Sequence, residues 1–322
     1  VDDYSWHLIF DVNVPVGLAA ILFAIFIQKE WRGARAGSFD WPGFLCVVCF
    51  MPLLIFALAR GNSPLNPEGW SSPEVIGCFA VAAAALIVFI VRELRCENPL
   101  LNLKLLGERN FGVSMAVLAI FGIGMLGGTY LLPLYMQKGL GYTAIMAGSV
   151  FLPVGLIQGV LSTCSGFLTR YIKPLFIAVT GILVMTLSFY FASRFTLHTT
   201  HAQIMLVLYL RGFGMGLTFA PLNDFSLMNL SQRDMASAAG ISNSIKQLSG
   251  SVSIALLTVI LTGRTAFHSA QGGLSSAESY VAGISDDFLF VTFVSLASAL
   301  PFLWLLRPRR KAASFKSEGT GT

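Results

Sequence analysis

Residues 111–136 read FGVSMAVLAIFGIGMLGGTYLLPLYM, and this stretch decides the fold. It carries no charged side chain. A bilayer hydrocarbon core about 30 Å thick is crossed by about 20 apolar residues of helix, so the run is long enough to span. A membrane-barrel strand would alternate apolar and polar residues, whereas this run is continuous. Gly122, Gly124, Gly127 and Gly128 crowd its middle. Small residues let a second helix backbone approach closely in lipid, where packing rather than hydrophobic burial holds helices together.

Working outward, comparable apolar blocks fall at 7–27, 41–59, 73–91, 145–168, 175–195, 203–228, 235–262 and 286–306. The expectation is an all-α polytopic membrane protein with about nine transmembrane helices. Composition agrees: 55% of residues are hydrophobic and only 11% charged, with a mean hydropathy of +0.73. A soluble domain carries about 25% charged residues, so a water-facing surface for the whole chain is excluded. The net charge of +5 sits between apolar blocks, which favours membrane orientation over nucleic-acid binding. Of the five cysteines, Cys46 and Cys49 form a C-x-x-C pair inside an apolar block, with no redox fold or second pair around them. They read as small packing residues.

Lys and Arg in the connections set the orientation. With residues 1–6 outside, the inner connections hold Lys29, Arg32, Arg35, Arg92, Arg95, Lys104, Arg109, Arg170, Lys173, Arg233, Arg307, Arg309, Arg310, Lys311 and Lys316. The outer ones hold only Arg60, Lys138, Arg194 and Arg264. The positive-inside rule selects this topology. The tail after 306, basic and then Ser/Gly/Thr-rich, is expected to be cytoplasmic and disordered. Gly155 and Gly159 form a G-x-x-x-G, and Gly212, Gly214 and Gly216 line the seventh block; both are expected at tight helix contacts. Prolines at 15, 52, 133, 153, 221 and 301 interrupt spans, as in bundles that bend.

A charge inside a membrane is a functional candidate by default. Arg211, about a third of the way into its block, can pair with a carboxylate, meet an anionic substrate, or serve packing. Lys246 and the adjacent Gln247 lie within the eighth block. Asn223 and Asp224 follow Pro221 toward the inner end of the seventh, where a buried carboxylate would titrate and an interfacial one would be solvated. Asp11, Asp286 and Asp287 are expected in water at the outer ends of their spans. Phe121, Tyr130, Tyr135 and Gln158 can line a cavity for hydrophobic compounds, including cations that seek aromatic faces, or they serve packing. His198 and His201 share an outer loop with no third ligand, so no metal site and no cofactor is expected. No span carries His, Asp and Ser in catalytic spacing, which argues against a membrane enzyme.

Several stretches, in order, resemble one family. WHLIFDVNVPVG (Trp6–Gly17), with Asn13, Pro15 and Gly17, resembles the sixth-helix signature of EmrB/QacA-type drug:proton antiporters, the fourteen-span subfamily of the major facilitator superfamily. SFDWPGFL (Ser38–Leu45), CENPLLNLKLLGERNF (Cys96–Phe111), GYTAIMAGSVFLPVGL (Gly141–Leu156) and DMASAAGISNSIKQLSGSVSIAL (Asp234–Leu256) are similar to later family stretches. Lys246 stands at the family's Arg position, and Gln247 matches its Gln. Gly166, Arg170 and Lys173 resemble the cytoplasmic loop motif, but Thr169 stands where an Asp is expected and Ile172 where a Gly is.

The resemblance implies a partial major facilitator superfamily fold. The spans would correspond to helices six to fourteen, and the sequence, starting at Val1, reads as part of something longer. It implies a division into 1–27 (last helix of one transporter half), 28–110 (two-helix insert and cytoplasmic loop), 111–306 (six-helix half) and 307–322 (basic tail). The function implied is proton-coupled multidrug efflux of hydrophobic compounds across a bacterial inner (plasma) membrane. The implied partners are the lipid bilayer, small-molecule substrate and protons, and in Gram-negative relatives a periplasmic adaptor and an outer-membrane channel. The outer loop 264–285 is short for the adaptor role. The alternatives are a metabolite or siderophore exporter of the same fold, and a truncated, non-transporting membrane remnant.

Overall fold

The computed structural model describes residues 11, 13–27, 40–61, 63, 65–96, 99–271 and 273–305. The first part of the sixth-helix signature, the segment 28–39 and the basic tail lie outside the described residues. Among the described residues the structure is helical. The helices are α1 (Asn13–Ile27), α2 (Trp41–Gly61), α3 (Pro73–Arg95), α4 (Arg109–Leu134), α5 (Ala144–Ser149), α6 (Leu152–Leu168), α7 (Pro174–Ala192), α8 (His201–Leu227), α9 (Met235–Ala270), α10 (Ser276–Ala297) and α11 (Leu300–Leu305). Eight segments are long and apolar enough to cross a membrane, with α5–α6 and α10–α11 each counting as one; α1, with 15 residues, is shorter.

Helix ends differ from the sequence expectation for local reasons. Gly127, Gly128 and Pro133 lie in α4, which passes at Tyr135–Gly139 into a π turn; a proline removes one helical N–H, and such wide turns accommodate the mismatch. The block 145–168 is broken at Val150–Phe151, with Pro153 in the first turn of α6, a position where its missing N–H costs nothing. The largest difference is at the last span. A capping box at Ser275 and Glu278 starts α10 at Ser276, ten residues before the expected start at 286. On the other side α9 runs on to Ala270. The supposed outer loop 264–285 is therefore mostly helix, and the connection between α9 and α10 is only 271–275.

Helices α2 and α3 pack on each other as a hairpin, and α2 touches α9. At one end Arg92 binds Asp40 at 2.7 Å, and the Gly43 N–H donates to the same carboxylate at 3.1 Å. The buried Glu93 beside them accepts from the Leu101 N–H at 3.2 Å. No residue of α1 between Asn13 and Ile27 is buried, so Asn13, Pro15 and Gly17 stand on an exposed helix.

The remaining helices share one core, in which α4 packs against α8, α9, α10 and α11. Side chains thread the contacts: Ser253 of α9 donates to the Ile123 carbonyl of α4 at 2.6 Å, Ser188 of α7 to Val207 of α8 at 2.8 Å, and Ser165 of α6 to Gly216 of α8 at 3.0 Å. A methyl on Gly214 would lie 2.8 Å from the Met185 nitrogen, and one on Gly122 would lie 2.9 Å from Ser249. The glycines of α4 and α8 are thus sites of close approach. Gly155 and Gly159 are not: both are exposed, and a methyl there would meet nothing within 4 Å. The expectation of a tight G-x-x-x-G contact at α6 fails within the described chain.

Candidate substrate cavity and buried charges

Between α4, α8 and α9 lies a cavity of about 210 Å³, lined by Met115, Leu118, Phe219, Leu222, Asn223, Ser226, Ala239, Ser242, Asn243 and Lys246. Its chemistry follows from the helix faces that meet there. Asn223 and Ser226 are one turn apart on α8. Ala239, Ser242, Asn243 and Lys246 follow three- and four-residue steps along α9, so they share a face. The Ser242 hydroxyl is occupied by the Ala238 carbonyl at 2.8 Å, and Ser226 by the Asn223 carbonyl at 2.7 Å. The lining therefore offers apolar side chains, two amides and one ammonium. Lys246 Nζ stands 5.5 Å from the centre of the Phe219 ring, and Phe219 meets the buried Phe121 edge-on at 6.3 Å. The aromatic face open to a cation is already taken by a cation of the protein.

The structure brings Lys246 and Asn223 together, with Phe121 one ring behind them. The other sequence candidates lie elsewhere. Gln247, one residue along α9, is exposed. Asp224 is exposed, with its carboxylate 3.5 Å from the Thr169 hydroxyl, so an acid from α8 reaches the loop motif at the position where the loop lacks its own. In that loop Gly166 accepts from the Thr169 hydroxyl at 2.7 Å, Arg170 lies over the Phe167 ring at 5.5 Å, and Lys173 is exposed. Gln158 is half-buried on α6. Tyr130 shares a 3.3 Å hydrogen bond with Thr258. Thr258 in turn lines a second, more apolar cavity of about 490 Å³ between α2 and α9. Tyr135 is fully buried, stacks on Phe195 and donates to the Thr196 carbonyl at 2.7 Å, which makes it a packing residue.

Arg211 is 3% exposed and has no carboxylate partner within 4 Å among the described residues. Its guanidinium is instead wrapped by one helix, α4. It donates to the Gly128 carbonyl at 3.3 Å, to the Met125 carbonyl at 3.2 Å and to the Thr129 hydroxyl. Of the readings open to it, the geometry places it as a bolt between α8 and α4 rather than a cavity group.

The expectation of solvated acids at the last span is overturned. Because α10 begins at Ser276, Asp286 and Asp287 lie in mid-helix. Asp286 is half-buried and binds Arg264 at 2.6 Å and His268 at 2.8 Å. Asp287 is fully buried, and neither carboxyl oxygen has a hydrogen-bond partner. The signal that could have found it was the Ser275–Glu278 capping box, S-x-x-E in the sequence, which moves the helix start outward. Asp11 is exposed.

Comparison with known proteins places the chain. The sequence model of the Major Facilitator Superfamily matches residues 1–254. The chain is 31% identical over 272 residues to the uncharacterized MFS-type transporter YhcA of Bacillus subtilis, covering 84% of this chain and 50% of that protein. It is 30% identical over 273 residues to the multidrug export protein EmrB of Escherichia coli, covering 84% and 52%. With the puromycin resistance protein pur8 of Streptomyces alboniger the identity is 28% over 324 residues, covering 97% and 62%. The chain spans about half the length of the first two.

Proposed function

The chain belongs to the Major Facilitator Superfamily, and on that premise we propose that it takes part in proton-coupled efflux of hydrophobic small molecules across a bacterial inner membrane. The substrate-facing surface is the cavity between α4, α8 and α9, and the observation that carries the reading is its lining. An apolar wall with a few polar groups suits ligands that differ in shape but share low polarity. The names of the relatives, a multidrug export protein and a puromycin resistance protein, support export of such compounds. Transport of this kind needs two halves moving about a central site. We take 111–306 as one such half, 1–27 as the end of the other, 28–110 as the insert and 307–322 as a cytoplasmic tail. The substrate leaves chemically unchanged.

Lys246 narrows the substrate range. A fixed ammonium over Phe219 repels organic cations and favours neutral or anionic apolar compounds. The same feature supports a second reading, export of an anionic metabolite by the same fold. We do not extend the proposal to a periplasmic adaptor.

The test uses inside-out vesicles carrying the full-length protein, a pH gradient, and apolar dyes of neutral, anionic and cationic charge. Gradient-driven uptake of several unrelated dyes, with Lys246→Gln shifting preference toward the cationic ones, is expected. Uptake of a single anionic compound and no other would favour the metabolite reading. No gradient-dependent uptake of any dye would sink the transport proposal.

A further inference from the structure

We propose that Asp287 is a proton-binding site in the core of the six-span unit, and that its proton is the one exchanged for substrate. The second half of this statement rests on the antiport reading above; the first half does not.

The argument begins with position. Asp287 lies halfway along α10, on the face that carries Ile284 and Val291 into the core. It is fully buried, and both carboxyl oxygens lack a hydrogen bond. A carboxylate that gives up water and gains neither donor nor counter-ion is strongly destabilised. Binding a proton removes the charge at its source, so the surroundings accommodate the acid and not its anion.

The neighbouring groups supply no compensation. On its own helix Asp287 bears electrostatically on Asp286 and Tyr280, a like charge and a neutral phenol. From α9 come Arg264 and His268, both held by Asp286. From α4 and its π turn come Tyr130, bonded with Thr258, and Tyr135, bonded to Thr196. Lys138 lies over the Tyr280 ring at 6.0 Å. The titratable residue of α7 is Tyr190, which pairs with Arg194. Among the described residues no cation lies within 4 Å of Asp287.

The contrast with Asp286 gives the site a use. The two acids are adjacent, yet one is ion-paired and part-exposed and the other is dry and alone. A rearrangement that turned α10 or parted it from α4 would bring Asp287 to water and let its proton go. Closing the packing again would require a proton back. A proton site needs both states, and the packing seen here supplies the closed one.

The test is infrared spectroscopy on the full-length protein in lipid, with aspartate carboxyl carbons isotopically labelled. The expected result is a protonated-carboxyl stretch at neutral pH that is absent from Asp287→Asn and fades as pH rises. No difference between wild type and Asp287→Asn would mean an ionised carboxylate and overturn the site. If Asp287→Asn does not fold, Asp287→Glu provides the same comparison through a shifted band. Coupling is read separately in vesicles with an anionic apolar dye, 8-anilinonaphthalene-1-sulfonate, a charge class the Lys246 side chain favours. Asp287→Asn should lose pH-gradient-driven uptake while keeping dye–dye exchange. A wild-type band with gradient-driven uptake unchanged in Asp287→Asn would reduce the proton to a structural one and overturn the coupling claim. Wild-type protein without gradient-driven uptake would instead remove the antiport reading, and the band would still decide whether Asp287 holds a proton.

Discussion

Helices α4 and α6 carry the same small-residue spacing, and only one of them is filled. Gly124 and Gly128 of α4 stand four apart, as Gly155 and Gly159 do on α6. Most of the apolar stretch of α4 is buried, whereas most of that of the α5–α6 span is not. Around Gly127 and Gly128 crowd Leu257, Ser253, Val291 and Phe189, whereas Gly155 and Gly159 face open space. The spacing marks a face on which a backbone can approach; it does not say which helix approaches, or whether one within this chain does. Position decides that. α4 is the central helix of the unit, with neighbours on several sides, while α6 packs chiefly against α8.

The largest effect is expected at the centre. Gly127→Leu would drive a side chain into Ser253, 2.8 Å from the position of a new methyl, and into Leu257 and Val291. Overpacking a filled core costs about 1–3 kcal/mol, and more where the backbone cannot shift. Three helices meet here, so folded protein should be largely lost, as read by size-exclusion yield and thermal unfolding in detergent. A folded variant with wild-type Tm would break the comparison.

Arg211 tests whether the centre is held by packing or by hydrogen bonds. Arg211→Ala leaves a cavity and should cost about 2–5 kcal/mol, the usual range for a large buried truncation. Arg211→Met keeps most of the volume and removes a buried charge that has no carboxylate partner; such replacements cost little or even stabilise. Met should therefore lose less than half of what Ala loses in thermal unfolding. Equal losses would mean that the bonds to Met125, Gly128 and Thr129 matter more than the space filled.

How much of this was legible in the sequence depends on the range of the signal. The spans were legible because lipid imposes length and apolarity on every one of them. The α4 glycines were legible as a packing face because four of them crowd one short segment. The start of α10 lies where hydropathy fades over the mixed stretch Ser276–Ala282, in which Ser276, Glu278 and Ser279 interrupt the apolar residues, while the Ser275–Glu278 cap, a four-residue feature, fixes the helix end. Hydropathy alone therefore hid Asp287, the most isolated acid among the described residues. The cavity was half legible. Lys246 and Asn223 stood out as polar groups in apolar blocks, but that they line one cavity, with Phe219 under the ammonium, depends on how α8 and α9 cross. Arg211 was visible as a buried charge, and its partners, backbone carbonyls of α4, have no signature in side-chain identity at all.

A smaller effect is expected at the margin. Gly155→Leu adds a side chain where nothing lies within 4 Å and should change stability by no more than about 0.5 kcal/mol, as for open surface positions. Paired with Gly127→Leu, it isolates position from residue type. If Gly155→Leu lowers Tm as much as Gly127→Leu, the α6 face is packed in the native membrane, and the comparison would then divide the molecule by partner rather than by depth.

The smallest effect, and the one confined to a pH window, belongs to the α2–α3 hairpin. Burial opposes the charge of Asp40, but the Gly43 N–H and the Arg92 guanidinium outweigh it and hold the carboxyl below its ordinary range. A group whose folded pKa is depressed contributes stability that is present above its unfolded pKa, about 3.9, and lost as pH falls through the folded value. Acidification below roughly pH 4 should therefore loosen the end of the hairpin, while the carboxylate ion pair of the six-span unit, Asp286 with Arg264 and His268, sits between α9 and α10 and leaves α11 packed. Trp41 lies one residue from Asp40 and reports the hairpin; Trp304 in α11 reports the six-span unit. In single-tryptophan proteins the emission of Trp41 should shift on acidification before that of Trp304, and Asp40→Asn should abolish the difference in onset. Glu93→Gln serves as the control, because Glu93 adjoins the pair and has no ion partner within 4 Å among the described residues. If Trp304 responds at the same pH as Trp41, the hairpin and the core unfold as one body, and the line drawn between centre and margin moves outward to include α2 and α3.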